Sequence, residues 1–482
     1  MSPLATEAPP VDLLVIGGGT AGIVGSRTAA LLGARVVMVE RELPGGDCLF
    51  TGCVPSKSLL AAAQRAEHAR GSTSFGVDTT GVGVDLARVL DRVRAVIATI
   101  EPHDSPEAMA EYGVEVLRGE ARLAGPRTAV VDGREIPFSR ALLATGASPA
   151  VPDVEGLRAA PHLTSDTVWQ LRTLPRRLVV LGGGAIGCEL GQAFARLGSD
   201  VTIVDVAPRL LPREDARAAA VVTEALRADG VTVRTATSLV RVEPDGEHGT
   251  LVVRRDDVEE SLPYDALLVA VGRTPRTTGL GLEAAGVALD ERGYVRVDDR
   301  LRTSNPRIWA AGDLTPHPQF THLAGVHASI AASNAVLGLR RRVDLRAVPR
   351  VTFTDPEIAA VGVPTGAGEE RPAGTRLLDW GHDRVDRALT DGDPCGFSSI
   401  AVDARGRVVG ATLVGPRAGE TLAELTLAVR ARLKVGAIAS TTHPYPTYGD
   451  GPWLAAVQDV QSRLGQGAAA AGIRLLRSVR PT

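Results

Sequence analysis

Two copies of one strand, glycine turn, helix, strand and acid unit, followed by a change to alternating apolar and polar stretches, predict the fold class: α/β. It comprises two Rossmann-like dinucleotide-binding halves and a C-terminal α+β part. The first copy begins with the apolar run Val11 to Ile16, runs through Gly17, Gly19 and Gly22 into an alanine-rich helical stretch, and continues as a strand, Ala34 to Val39, that ends at Glu40. The second has its strand at Leu178 to Leu181, its turn at Gly182, Gly184 and Gly187, and a strand at Val201 to Val204 leading to Asp205. The first glycine and the acid stand 23 positions apart in both copies. Glycines permit the tight turn and the close approach of a pyrophosphate, the helix N-terminus offers N–H groups to it, and the carboxylate can hold ribose hydroxyls. Two such sites imply two dinucleotides, most simply a nicotinamide and a flavin.

The remaining segments follow in order. Leu142 to Ala147 and Leu267 to Gly272 read as buried strands ending in small-residue turns, and Ile308 to Asp313 as an apolar strand offering one carboxylate to a sugar or ribitol hydroxyl. Beyond Val348 the alternation at Ser399 to Val402 and Val408 to Val414 predicts antiparallel strands, and Ala418 to Lys434 an amphipathic helix. The tail from about Gly465 is expected to be loosely held. The expected domains are 1–152 and 274–347 for one nucleotide, 153–273 for the other, and 348–482 as the C-terminal domain.

Length and charge narrow the function. The 482 residues exceed one ordinary domain, and the formal charge of -3 gives no pull toward nucleic acid. No apolar run reaches 18 residues, so no membrane span is expected, and the start lacks the pattern of a secretory signal, which predicts a cytoplasmic protein. Four cysteines are too few for a disulfide scaffold, and in a reducing compartment a close pair is catalytic or metal-binding before it is structural.

That pair lies in Gly45 to Lys57, GGDCLFTGCVPSK. Cys48 and Cys53 are five positions apart, which in a regular helix would separate them by about 7.5 Å, at or beyond the reach of a disulfide. They can close only if the backbone leaves the helix between them. Gly52 gives that freedom, and Pro55 suits the first turn of a helix starting just afterwards. Cys53 would then sit at the positive end of that helix, where a thiolate is favoured and a strained ring is easily reduced. Two buried thiols in a core are the plainer alternative. Lys57 is one of only two lysines among 53 basic residues. A compact ammonium suits the edge of a flavin ring, and a solvated helical lysine is the other reading.

With these motifs in this order, the chain from Val11 to about Asp450 resembles the FAD-dependent pyridine nucleotide-disulfide oxidoreductases, which include glutathione reductase, dihydrolipoamide dehydrogenase and mercuric reductase. The resemblance implies that Gly17, Gly19, Gly22 and Glu40 hold the ADP half of FAD and Asp313 its ribitol region, with Gly46, Thr145, Gly146 and Gly312 in the same cofactor-binding set. It assigns Gly182, Gly184, Gly187 and Asp205 to NADH or NADPH, counts Gly272 among the cofactor-binding residues, and puts Glu189 near the nicotinamide, paired to Lys57. It further implies a Cys48–Cys53 disulfide, with Cys53 as the thiolate against the flavin and Cys48 as the exposed thiol that attacks the acceptor, in a homodimer whose C-terminal domain completes the partner's site. Asp205 favours NADH by accepting from a free 2′-hydroxyl and repelling a 2′-phosphate. Val206 and Pro212 stand where NADPH-selective relatives carry arginines, although Arg209 and Arg213 lie close enough in sequence to meet a phosphate.

The departures bear on the acceptor. The disulfide-reducing members carry His-Pro-Thr followed by Glu, an imidazole that shuttles a proton and a carboxylate that orients it. Here the segment reads His443-Pro444-Tyr445-Pro446-Thr447-Tyr448-Gly449-Asp450, so Tyr445 takes the histidine position and Asp450 the glutamate position. Mercuric reductases also have tyrosine there, but typically carry a vicinal cysteine pair near the C-terminus that this chain lacks. His443 is either a substitute base or structural, and Cys188 and Cys395 are expected to be buried structural thiols. Asp47 and Phe50 replace the usual Thr and Asn around the first cysteine, and Arg276 replaces an Asn after the GR-x-P motif. The expected activity is NAD(P)H-dependent reduction, through FAD and Cys48–Cys53, of a small disulfide or a thiophilic metal such as Hg(II), with quinone or dioxygen as side acceptors. The alternatives are a dedicated mercuric reductase, a quinone reductase using the flavin alone, and a non-catalytic redox sensor or subunit. No resident metal is expected.

Overall fold

The structure is a computed structural model that describes residues 10–366, 368–464 and 467–480. The chain forms two compact units. The first takes the described residues up to Arg176 with Arg241–Thr250 and Pro263–Val343, and the second takes Arg177–Val240, Leu251–Leu262 and the residues from Asp344 onward.

The first unit is built on a seven-stranded sheet. Val11–Ile16 lies between Val36–Glu40 and Arg134–Leu143 and is parallel to both, with Val114–Arg118 beyond the former and Ile308–Ala310 beside the latter. Thr128–Val131 and Ala121–Gly125 extend it as an antiparallel meander. A parallel strand covered on both faces must be apolar at successive positions, which is why Leu13, Leu14 and Val15 are all fully buried. The helices Thr20–Leu31 and Thr321–Leu337 pack together, and alanines of both join the core on one face. Leu123, Phe138, Val295 and Ile308 belong to the core on the other.

In the second unit Arg177–Leu181, Asp200–Val204 and Thr232–Arg234 run parallel, and the helix Ala185–Leu197 follows the glycine turn. Its polar side is fastened to the loop at 353–355. Glu189 accepts from the Phe353 N–H at 2.9 Å, Gln192 bonds the main chain of Asp355 in both directions, and Arg196 pairs with Asp355 at 2.7 Å. The C-terminal part is a five-stranded antiparallel sheet, ordered Arg350–Thr352, Glu357–Gly362, Val408–Gly415, Phe397–Val402, Arg376–Gly381. The helices Ala418–Ala431 and Asp450–Leu464 pack on it around Leu413, Leu422, Leu425 and Ala456.

Several expectations are corrected. The second strand starts at Val36 and not Ala34, because the turn after the first helix reaches Ala34, whose N–H bonds the Ala29 carbonyl. The helix expected to reach Lys434 stops at Ala431, where Arg432 takes a left-handed backbone, φ 55°. The tail forms a helix over Gly467–Val479, with its described side chains from Gly472 onward almost all exposed. Cys395 is exposed, not buried, because it lies in the connection ahead of the strand Phe397–Val402.

The glycine turns give a direct test. A Cβ on Gly187 would sit 1.9 Å from the Gly182 carbonyl oxygen, whereas one on Gly184 would meet nothing within 4 Å. Gly187→Ala is predicted to cost about 1–3 kcal/mol of unfolding free energy by forcing helix from strand, and Gly184→Ala less than about 0.5 kcal/mol. Denaturant melts of the two variants measure both.

Candidate active site

The two nucleotide turns are built alike. Gly17 has φ +107°, a backbone that L side chains rarely adopt, and a Cβ on Gly22 would lie 1.8 Å from its carbonyl oxygen. At the end of the second strand, Glu40 accepts from the Gly18 N–H at 2.6 Å and the Glu42 N–H at 2.9 Å. Asp205 repeats this, accepting from Gly183 at 2.5 Å and Ala207 at 2.6 Å. No side chain caps the helix after Gly19 or the one after Gly184, and neither has an acid in its first turn. Both ends therefore present main-chain donors and a positive dipole end toward a phosphate. Gly46 lies so close to Gly19 that a Cβ on it would be 2.6 Å from the Gly19 Cα, which brings the redox segment to the mouth of the first turn. A cradle open to phosphates, with an acid fixed beside it, fits the ADP half of FAD in the first unit and a nicotinamide dinucleotide in the second.

The expected break between the cysteines is present. Cys48 lies in the short helix Gly46–Phe50, the chain leaves helix at Thr51 and Gly52, and Cys53 is the first residue of the helix Cys53–Gly71. A side chain at Gly52 would press on the Asp47 carbonyl at 2.8 Å. The new helix thus starts two residues before Pro55, with Cys53 itself at its positive end. Cys48 and Cys53 share a hydrogen bond, which together with burial pushes the Cys48 thiol well above its ordinary pKa. The Thr321 hydroxyl, at the start of the helix Thr321–Leu337, is 3.3 Å from the Cys53 sulfur. Cys48 is half-buried and Cys53 exposed. Lys57 follows Cys53 by one helical turn and is half-buried.

Charged groups gather around the same segment. Asp47 pairs with Arg273 and, at 3.1 Å, with Arg276. Arg276 also stands 3.7 Å from Asp166, and Arg273 stands 3.6 Å from Asp313. Burial pushes the carboxyls of Asp166 and Asp313 above their ordinary values, and the two arginines pull them partly back. Thr145 donates to the Arg276 carbonyl at 2.7 Å and the Gly146 carbonyl accepts from the Arg276 N–H at 2.9 Å, which fixes where Arg276 leaves the main chain. Sequence reasoning flagged Asp47 and Arg276 as departures but not that they meet, because 229 positions separate them.

In the second unit, the Tyr445 hydroxyl donates to Asp386 at 2.6 Å, and that carboxylate pushes its pKa up. Asp450 is buried at the first position of its helix and accepts from the Thr447 N–H at 3.2 Å. His443 has both ring nitrogens engaged, Nδ1 with the Thr441 carbonyl and Nε2 with Glu424, each at 3.0 Å. Glu189 is buried on the helix Ala185–Leu197. Cys188, beside it, is fully buried with its thiol 3.4 Å from the Gly183 carbonyl, an inert position. Gly272 and Gly312 take positive φ at the turns after their strands.

Glycine-cradled nucleotide turns in both units, the first running into a paired-thiol segment, define a class of thiol oxidoreductase that works with bound dinucleotides. Residues 11–328 match the pyridine nucleotide-disulphide oxidoreductase family, and residues 348–456 match the dimerisation domain of that family. The chain is 39% identical over 452 residues to a mercuric reductase of Streptomyces lividans, covering 92% of this chain and 95% of the relative. It is 37% identical over 456 residues to a dihydrolipoyl dehydrogenase of Thermus scotoductus, covering 91% and 95%. Among solved structures, the Cu(II) complex of the HOCl-induced flavoprotein disulfide reductase RclA from Escherichia coli superposes with a TM-score of 0.83 at 28% identity, covering 94% of this chain and 100% of that one. LpdA from Mycobacterium tuberculosis gives 0.84 at 29% identity, covering 93% and 99%. The chain belongs to the pyridine nucleotide-disulphide oxidoreductases, a family of FAD-dependent NAD(P)H enzymes. The dimerisation domain supports a homodimer. Among the described residues no helix is long and apolar enough to cross a membrane, and no group of three or more His, Cys, Asp or Glu could hold a metal ion.

A raised Cys48 pKa means less thiolate at any given pH, and the neighbour responsible is Cys53. In the reduced protein, Cys53→Ser is predicted to bring the Cys48 value down and to speed its alkylation by iodoacetamide at pH 8 by roughly tenfold. An unchanged or slower rate contradicts this origin of the shift.

Proposed function

We propose that this enzyme reduces a thiophilic metal ion, with Hg(II) as the reference acceptor, using electrons from NADH carried through FAD and the Cys48–Cys53 pair. The overall step is NADH + Hg(II) → NAD⁺ + Hg(0) + H⁺, in which the metal accepts two electrons and no proton. The observation that carries the reading is the state of Tyr445. A phenol already donating to Asp386 and with a raised pKa is a poor proton shuttle, and neither nitrogen of His443 is left to replace it. Reduction of a disulfide substrate requires protonation of a leaving thiol, whereas a soft cation needs only soft thiolate ligands. The names of several relatives, mercuric reductases at 36–39% identity, point the same way.

Bound FAD would supply the two-electron relay between the nicotinamide and the cysteine pair. In this reading Gly17, Gly19, Gly22, Gly46 and Glu40 hold its ADP half, while Asp313, Gly312, Thr145 and Gly146 line its ribitol side. Gly182, Gly184, Gly187, Asp205 and Gly272 bind the nicotinamide dinucleotide. Lys57 serves at the flavin edge, where its ammonium stabilises developing negative charge, and Glu189 serves at the nicotinamide. Residues 1–152 and 274–347 serve FAD and 153–273 serves the nicotinamide, while 348–482 brings Tyr445 and Asp450 to the partner's cysteines. Cys53 holds the thiolate next to the flavin, and Cys48 meets the metal. The preference for NADH rests on Asp205 and on Arg209, whose guanidinium donates to the carbonyls of Leu211, Pro212 and Glu214 and so is committed to its own loop.

Steady-state assays of the purified holoenzyme test this reading. Hg(II)-dependent oxidation of NADH should exceed that of NADPH by about tenfold in kcat/KM, and Cys48→Ser or Cys53→Ser should lower it by at least about 10²-fold. Lipoamide and glutathione disulfide should turn over poorly, and Tyr445→His should raise their turnover by about tenfold or more. Faster reduction of lipoamide than of Hg(II) by the native enzyme overturns the choice of acceptor.

A further inference from the structure

The helix Gly46–Phe50 has five residues and no capping side chain, so little holds it in place from within. It nevertheless carries one of two sulfurs whose pairing tolerates only a narrow range of separation. The segment from Asp47 to Thr51 is gripped at both ends from outside. At one end Arg276 spans Asp47, at 3.1 Å, and Asp166, at 3.7 Å. At the other end the Trp169 indole N–H donates to the Thr51 carbonyl at 2.9 Å and to the Ser165 carbonyl at 2.8 Å. Asp166 and Trp169 belong to one short stretch that is itself folded tightly. Thr164 accepts from the Val168 N–H at 3.0 Å, and its own N–H donates to the Thr167 hydroxyl at 2.9 Å. Arg273 adds a second hold on Asp47 and is itself fixed by the Ala147 carbonyl at 2.8 Å.

We propose that Trp169 and Arg276 are positioning residues for the redox pair: together they tie both ends of the segment Asp47 to Thr51, which carries Cys48, to residues 165–169 and thereby set how readily the disulfide opens. This rests on the dithiol–disulfide cycle proposed above. A loosened segment lowers the effective concentration of one thiol at the other, which favours the open dithiol. The reaction that reads it is exchange with glutathione. The Cys48–Cys53 bond breaks, the bond of glutathione disulfide forms, and two glutathione thiols give their protons to the two cysteines. The groups facing Cys48 are Cys53, Thr321 and Asp104. None of these belongs to the clasp, so a variant in the clasp leaves them in place.

The experiment equilibrates the holoenzyme in glutathione buffers of graded ratio and counts Cys48 and Cys53 thiols by alkylation and mass. Trp169→Phe, Arg276→Asn and Asp47→Asn should each shift the equilibrium about tenfold toward the dithiol, about 30 mV. The double variant Asp47→Asn with Arg276→Asn should go no further than the larger single, because the two share one link. Arg276→Lys, which keeps the charge and loses the fork, covers the case in which the asparagine variant does not fold and should shift in the same direction. Equilibria within about twofold of the native value in Trp169→Phe and Arg276→Lys overturn the proposal. So do opposite shifts in Asp47→Asn and Arg276→Asn, which would mark a charge effect in place of a positional one. If the native pair never closes in oxidising buffer, the redox cycle itself fails, and that result is distinct from a pair that closes normally but ignores the clasp.

Discussion

The loss of helix at Thr51 and Gly52 is the constraint on which the rest of the redox site depends. Continuous helix would put Cys48 and Cys53 on different faces and too far apart to bond. The interruption instead lets the two sulfurs share a hydrogen bond and puts Cys53 at the first position of the next helix, where main-chain donors favour a thiolate. Gly52 is required there because a Cβ would strike the Asp47 carbonyl. Gly46, pressed against Gly19, joins the same turn to the first nucleotide cradle, so the sheet that places the cradle also places the sulfurs.

Charge is managed around this segment by pairing. Asp47, Asp166 and Asp313 surround the guanidiniums of Arg273 and Arg276, and no one of these carboxylates faces the arginines alone. Burial makes carboxylates costly, and the two arginines offset that cost locally. The acids at the ends of the two second strands follow a different rule. Glu40 and Asp205 are each held by two main-chain N–H groups, which fixes their carboxylates beside the glycine turns.

Much of this was legible in the sequence because it is local. A strand buried on both faces is apolar at successive positions, a glycine turn spaces its acid by a fixed helix and strand, and the antiparallel C-terminal strands alternate, so Val11–Ile16, Arg177–Leu181 and Val408–Gly415 fall where pattern puts them. The need for a break between the cysteines followed from helix rise alone. What pattern could not give is contact between distant segments: Arg276 on Asp47, Trp169 on Thr51, Tyr445 on Asp386, Glu424 on His443. Cys395 was misjudged for a related reason, since a thiol's usual preference for the interior says nothing of a connection that runs on the surface.

In the proposed cycle, electrons from the nicotinamide must reach the two sulfurs near the start of the chain. The most direct measurement is an anaerobic addition of excess NADH to the oxidised holoenzyme, followed by acid quench, alkylation and mass mapping of each cysteine. The account predicts that Cys48 and Cys53 change together from unmodified to alkylated, while Cys188 and Cys395 label alike with and without NADH. A flavin that is reduced while Cys48 and Cys53 label no differently from the untreated enzyme would contradict it.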